Sequence, residues 1–141
     1  MHLTTFADLG LRSLMLMSGR RSTVGRIAVL ANASPSHVKK VVARLVDLGV
    51  AESVRGRGGG VSLAEGALRT DVGWLLRELE GPGEVVRCGG GCPLADRGCA
   101  LRHRLPEARA NFFATFDGQT VGDLVAGTAG LPIHPPTLTK D

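Results

Sequence analysis

The stretch from residue 24 to residue 63 constrains the fold of this chain more than any other part. Ser34-Pro35 predicts a helix start, with the serine as N-cap and the proline at the first helical position, and apolar residues follow at helical spacing. A shorter helix over 24–30 precedes this start. Together the two helices predict a helix-turn-helix over about 24–46. The expected core residues of the shorter helix are Ile27, Val29 and Leu30.

A glycine-rich hairpin follows the second helix. Short apolar segments flank Arg55-Gly-Arg-Gly-Gly-Gly60, which predicts a β-hairpin wing over about 50–63. Its two arginines can contact phosphate or enter the minor groove, and its glycines let the backbone approach DNA closely. The predicted fold class is mainly α with a small β wing, a winged helix-turn-helix.

Charge is divided unevenly along the chain. The net charge is +4, but residues 1–62 contain nine basic and three acidic side chains, whereas residues 63–141 contain eight basic and ten acidic ones. This asymmetry is typical of a surface that binds phosphate, so double-stranded DNA is the predicted partner. The candidates for reading base edges are Ser36 and His37. The candidates for backbone or groove contacts are Lys39, Lys40, Arg44, Arg55 and Arg57.

The three cysteines of the chain, Cys88, Cys92 and Cys99, all lie within twelve residues. The segment is glycine-rich, which predicts a loop that can fold around an ion or a cluster. An odd number of cysteines in a reducing compartment favours metal ligation or reactive thiols over a disulfide framework. Zinc often uses two-residue spacings that this loop lacks, whereas iron–sulfur clusters accept a fourth ligand that is not cysteine. From the residues alone, an iron–sulfur cluster, zinc and a thiol redox switch all remain open.

Two side chains are candidates for a fourth ligand. Asp8 is an acidic residue in an otherwise apolar first helix, where it needs a partner, and the alternative is an ion pair with Arg12 four residues later. His103 follows Cys99 by four residues, and it is better explained as an exposed histidine flanked by two arginines.

A second periodic segment follows the cysteines. Apolar residues at spacings of three and four predict a long amphipathic helix from about residue 99 to residue 116. The residues in this stripe are Leu101, Leu105, Ala108, Phe112 and Phe116.

Taken together, these segments resemble a known family, the iron–sulfur winged-helix transcriptional regulators of the IscR and NsrR type, and most closely its nitric-oxide-sensing members. The resemblance covers nearly the whole chain. The segments that carry it are Leu3-Thr4 with Phe6-x-Asp8-x-Gly10-Leu11-Arg12-Ser13-Leu14, the Arg55–Gly60 wing, Arg77-Glu-Leu-Glu80, the cysteine loop and Thr120-Val-Gly-Asp-Leu-Val125.

The resemblance implies a homodimer in which the long helix crosses its twin and each winged helix reads half of an inverted-repeat operator. It implies a [4Fe-4S] cluster, with [2Fe-2S] as the alternative, held by Cys88, Cys92, Cys99 and Asp8 of the partner subunit. Arg12 has a supporting role. Nitric oxide is the implied effector, because nitrosylation would release Asp8 and end repression.

The predicted organisation has four parts. They are a winged helix-turn-helix domain over 1–83, a cluster-binding cysteine loop over 84–99, a dimerisation helix with a closing helix over 100–126, and a flexible tail over 127–141. Because charged residues interrupt the first apolar stretch and no segment is long enough to span a membrane, a cytoplasmic protein without membrane contact is expected.

Three rival functions stay open beside the [4Fe-4S] repressor. One is a [2Fe-2S] regulator, and another is a metal-free regulator whose cysteines form reversible disulfides under oxidant. The third is a small iron–sulfur electron carrier, for which the basic helix-turn-helix would have no purpose. An enzyme is not expected, because the sequence has no catalytic triad, paired carboxylates or cofactor loop.

Overall fold

A computed structural model of the chain describes residues 2–86, 88, 92–94 and 97–128. The helices of this part are α1 (Thr5–Met17), α2 (Val24–Leu30), α3 (Pro35–Asp47), α4 (Val72–Glu80), α5 (Ala100–Ala114) and α6 (Val121–Thr128). A short 3-10 helix, Ala67–Arg69, precedes α4. The strands β1 (Ala51–Val54) and β2 (Gly60–Leu63) pair antiparallel, with Ala51 opposite Leu63. The predicted fold class, mainly α with a small β wing, is confirmed, and most of the predicted tail lies outside the described residues.

Polar side chains cap the starts of five helices. Each accepts a hydrogen bond from a backbone amide that lacks a partner within the helix, a contact that stabilises a helix by roughly 1 kcal/mol. The pairs are Thr4 with the amide of Ala7, Thr23 with Arg26, Ser34 with His37, Asp71 with Trp74 and Thr120 with Asp123. The predicted start of α3 at Ser34-Pro35 is therefore confirmed.

One apolar core joins the first four helices and the wing. Its fully buried members are Ala7, Leu14, Met17, Ile27, Val38, Val41, Leu45 and Leu75. The prediction that Val29 belongs to this core is wrong, since Val29 is 58% exposed. A seven-residue helix buries only a narrow face, and the neighbouring residues Ile27 and Ala28 fill it, which turns Val29 outward.

The turn between α1 and α2 is joined to the wing. The amide of Ser22 donates to the carbonyl of Val61 and the amide of Val61 donates to the carbonyl of Ser22, each at 2.8 Å. Gly60 lies next to this bridge with φ of 150°, and a Cβ there would stand 2.7 Å from the Ser22 carbonyl oxygen. Glycine is therefore required at the point where the wing meets the helices.

A smaller cluster packs α4 against α5, with Val72, Leu76 and Phe113 at its centre. Arg77 forms two hydrogen bonds to the carboxylate of Asp117, at 2.6 and 3.0 Å. Within the described residues, no helix has the length and apolar character needed to cross a membrane. The long helix predicted from about 99 to 116 is present as α5, with Pro106 inside it.

Candidate nucleic-acid interface and cysteine loop

The exposed side of α3 carries most of the residues predicted to contact DNA. Ser36, His37, Lys39 and Lys40 are all exposed, whereas the residues between and after them, such as Val38 and Val41, are buried and hold the helix against the core. The N-cap hydroxyl of Ser34 lies 3.2 Å from the hydroxyl of Ser36, so the first turn is locally ordered. This arrangement leaves polar and basic groups free to meet a DNA groove.

Arg44, the last predicted DNA contact on α3, is placed differently. Its Nη2 donates to the Oε2 of Glu78 at 2.8 Å and to the backbone carbonyl of Glu78 at 3.4 Å. The guanidinium group is therefore held by the C-terminal part of α4. Its predicted contact with phosphate remains a prediction, and it would compete with this ion pair.

The wing presents its two arginines at an exposed tip. Arg55 and Arg57 both lie between β1 and β2 and are exposed. Behind them, Glu52 accepts a hydrogen bond from Ser62 at 3.0 Å across the hairpin. The tip therefore offers positive charge, while the acidic residue is tied to the base of the hairpin.

The cysteine loop carries three free thiols. Cys88 and Cys99 are half-buried, and Cys92 is exposed. In the parts of the loop that the structure describes, no group of three histidine, cysteine, aspartate or glutamate side chains is gathered as a metal site would require. Three unbridged thiols are nevertheless the donor type that iron–sulfur clusters take, so the donor set fits such a cluster by its chemistry.

Cys88 faces a cleft of about 390 Å³ between the start of the loop and α5. Val85, Val86 and Pro106 contribute apolar surface, and Arg102 and Arg109 contribute positive charge. A cysteine next to an open cleft can be reached by a small reactant or by a ligand group from another chain.

Asp8 is paired with Arg12 within the chain. The two side chains form two contacts, Arg12 Nη2 with Asp8 Oδ2 at 2.6 Å and Nε with Oδ1 at 3.0 Å. Both are about half exposed, so a second chain can reach this carboxylate. The ion pair proposed as the alternative is therefore present, and ligation by Asp8 across subunits stays a prediction.

His103 is exposed on α5, next to Arg104, which pairs with Glu107 at 3.2 Å. The interpretation of His103 as an exposed helix histidine is confirmed, because the residue is exposed.

The sequence predictions missed a set of contacts at the end of α4. Glu80 Oε1 accepts from the amide of Thr4 at 2.6 Å, and the carbonyl of Gly81 accepts from Arg109 at 2.7 Å. With the Arg44–Glu78 pair, these contacts join the end of α4 to α1, α3 and α5. The only sequence signal for these contacts is that the segment 77–80 forms part of the resemblance. That segment does not indicate which residues contact the end of α4.

A family model described as "Rrf2: Iron-dependent Transcriptional regulator" matches residues 3–127 of the chain. The chain belongs to the Rrf2 family. As a member of a family of transcriptional regulators, it is a regulator rather than an enzyme, and the predicted resemblance is confirmed.

Relatives of this Rrf2 protein agree with the family assignment. The HTH-type transcriptional repressor NsrR of Streptomyces coelicolor is 45% identical over 136 residues, which cover 92% of each chain. The crystal structure of Staphylococcus aureus CymR matches with a TM-score of 0.63 at 26% identity, covering 86% of this chain and 96% of CymR. The structure of T. potens IscR, at 18% identity and a TM-score of 0.68, covers 96% of this chain and 94% of IscR, and it supports the fold alone.

Proposed function

We propose that this Rrf2 protein is a DNA-binding repressor that senses nitric oxide through an iron–sulfur cluster. The observation that carries the proposal is the presence, in one chain, of an exposed basic recognition helix and a loop with three free thiols. The 45% identity to a relative named as the repressor NsrR supports the same conclusion. We further propose that the protein acts in the cytoplasm.

In the proposed complex with DNA, the N-terminal end of α3 enters the major groove. Ser36 and His37 would then meet base edges, and Lys39 and Lys40 would meet phosphates. The exposed Arg55 and Arg57 would reach the backbone or the minor groove beside it. This assignment makes residues 1–83 the DNA-binding domain, with the helix-turn-helix over about 24–46 and the wing over about 50–63.

The long helix supports a homodimer that binds an inverted repeat. In the single chain α5 buries Phe113, which lies outside the predicted stripe. Within the stripe, Leu101 is 61% exposed and Ala108 is exposed, so these two positions are open to a second chain. Residues 100–126 would provide the dimer contact, and residues 127–141 the tail.

In the proposed sensor, Cys88, Cys92 and Cys99 of the loop over 84–99 would hold a [4Fe-4S] cluster, and Asp8 of the partner subunit would complete the ligand set. A bound cluster would supply iron that reacts with nitric oxide. The Arg12 guanidinium binds Asp8 through two contacts within the chain, so Arg12 would compete with the cluster for this carboxylate. A contact of Asp8 that differs between the two states would shift DNA affinity, because only a state-dependent difference in interaction energy can do so.

The experiment that tests the sensor is the iron and sulfide content of anaerobically purified protein, with absorption followed during addition of nitric oxide. About four irons per chain and bleaching by nitric oxide support the proposal, whereas about two irons support the [2Fe-2S] alternative. Asp8→Ala keeps the three thiols and should shorten the lifetime of the cluster. An unchanged lifetime would remove Asp8 from the ligand set.

A metal-free thiol switch is the second candidate function. It is favoured by the exposure of Cys92, which an oxidant can reach directly. Protein that contains no iron after anaerobic purification, but gains a disulfide and loses DNA affinity under oxidant, would support this candidate.

A further inference from the structure

The ion pair between Arg44 and Glu78 links two elements with different roles. Arg44 lies in the last turn of α3 and Glu78 in the last turns of α4, and the two residues are 34 positions apart. The guanidinium contacts both the carboxylate and the backbone carbonyl of Glu78. The two side chains are 40% and 39% exposed, so the pair lies at the surface and is held by these two contacts rather than by burial.

The position of Arg44 along α3 sets it apart from the other predicted DNA contacts. It lies eight residues after Ser36, which corresponds to roughly 12 Å along a helix axis. A recognition helix contacts base edges mainly through its N-terminal residues. The Nη2 of Arg44 is already engaged by Glu78, so a phosphate contact would have to use another nitrogen of the guanidinium or displace Glu78.

The end of α4 is the place from which the cysteine loop departs. Glu78 is followed by Gly81-Pro82-Gly83 and then by the segment that leads to Cys88. Contacts from Thr4 and Arg109 fix the same end to α1 and α5. The Arg44–Glu78 pair is therefore one contact through which a displacement of this end of α4 would reach α3.

We propose that Arg44 is a positioning residue, which fixes the recognition helix to the end of α4, and that it is not a phosphate contact. This inference rests on the proposed DNA-binding function. It adds that the Arg44–Glu78 pair is a contact through which the cysteine loop influences α3. Glu78 is then as important for DNA affinity as Arg44, although it carries the charge that phosphate repels.

The test is a double-mutant cycle of Arg44→Gln, Glu78→Ala and the combined variant. Affinity is measured by fluorescence anisotropy with a duplex selected by the wild-type protein from a random-sequence pool. We expect each single variant to bind DNA about three- to fivefold more weakly, because this is the contribution expected of a half-exposed ion pair. The double variant should bind no more weakly than either single variant. The charge-swapped variant, Arg44→Glu with Glu78→Arg, should recover part of the affinity.

The salt dependence of binding separates a positioning residue from a phosphate contact. Between about 50 and 200 mM salt, loss of one phosphate contact makes the plot of log affinity against log salt less steep by about 0.9, so a dimer that carries the substitution in both subunits loses about 1.8. We expect this decrease for the matched control Lys40→Gln and an unchanged steepness for Arg44→Gln and Glu78→Ala. The same measurement with cluster-loaded and cluster-free protein should give a smaller difference between the two forms in both single variants.

A plot that becomes less steep by about 1.8 for the dimer of Arg44→Gln, together with wild-type or tighter binding by Glu78→Ala, would overturn the inference. Additive losses in the double variant would overturn it as well. Failure of the proposed function gives a different result, because the wild-type protein itself would then show no salt-dependent binding to any selected duplex. Urea unfolding of each variant verifies that it is folded, and the charge-swapped variant serves if a single variant is not.

Discussion

The proposed DNA-binding part of the molecule and the proposed sensing and dimerisation part are built in different ways. In α1 to α4 and the wing, side chains such as Ile27, Val38 and Leu45 are completely buried in one shared core. In α5 the described residues bury only Phe113 deeply, and Leu101 is 61% exposed. The first part completes a shared core within a single chain, although Val29 stays 58% exposed. In the second part α5 packs only through a small cluster, and the loop before it carries three unbridged thiols, of which Cys92 is exposed. The proposed sensor therefore has its unfinished surface where a second subunit and a cluster would bind.

The largest expected effect comes from the shared core. Leu45→Ala removes a fully buried side chain between α3 and its neighbours, and it should lower the free energy of unfolding by about 2–5 kcal/mol. Urea unfolding monitored by circular dichroism measures this change. Leu101→Ala, measured at a protein concentration low enough for the chain to be monomeric, is the control and should leave the stability within about 0.5 kcal/mol of wild type. Equal decreases in the free energy of unfolding of both variants would mean that Leu101 contributes as much to the packing of the chain as Leu45, and they would contradict the comparison.

The second prediction concerns the exposed stripe of α5. Leu101→Glu puts a charge near the start of α5, within the proposed dimer contact. It should weaken association tenfold or more, because burying an unpaired charge costs more than the ~1.4 kcal/mol that corresponds to a tenfold change. Sedimentation equilibrium over a range of protein concentrations measures the dissociation constant. Leu68→Glu, at another exposed leucine outside α5, is the matched control. A dimer that is unaffected by Leu101→Glu would contradict the proposed role of this helix.

A smaller effect is expected at the start of the recognition helix. Ser34→Ala removes the acceptor for the amide of His37 and should lower the free energy of unfolding by about 1 kcal/mol. Ser34→Asp keeps an acceptor and should restore the stability. DNA affinity should fall with Ser34→Ala, because the first turn carries Ser36 and His37. Hydrogen exchange of the amides in this turn would show whether the loss is local.

The smallest effect concerns acid stability. Backbone hydrogen bonds from Trp74 and then Gly118 lower the pKa of Asp71, and bonds from Thr120 lower the pKa of Asp123. Because a lowered pKa stabilises the folded protein above the ordinary carboxyl pKa, this contribution is lost as the pH falls below roughly 4. Asp71→Asn and Asp123→Asn should each flatten the decline in the free energy of unfolding between neutral pH and pH 3. A decline as steep as in the wild type would contradict this account.

The elements that sequence could predict are those with local signals. Ser34-Pro35 determines the start of α3 within a few residues, and the glycines of the wing place its tip. Val29 was predicted wrongly because neighbouring apolar residues compete for the narrow buried face of a short helix, and only the packed neighbours decide which is buried. In general, periodicity identifies a helix more reliably than it identifies each buried position.

In the candidate site, too, features set by local sequence could be predicted and features set by distant contacts could not. Exposure of Ser36, His37, Lys39 and Lys40 follows from the period of α3, so it could be predicted. The pairing of Arg44 with Glu78 could not, because the two residues are distant in the sequence and meet only through the packing of α3 and α4. Ligation by Asp8 depends on a second chain, and no pattern within one chain determines how two chains meet.

The most direct test of the central claim is operator binding by cluster-loaded protein during an anaerobic titration with nitric oxide. The proposed repressor should bind the selected duplex before addition, and its affinity should fall in parallel with the loss of cluster absorption. Cluster-loaded protein that binds DNA equally well before and after nitrosylation would contradict the account.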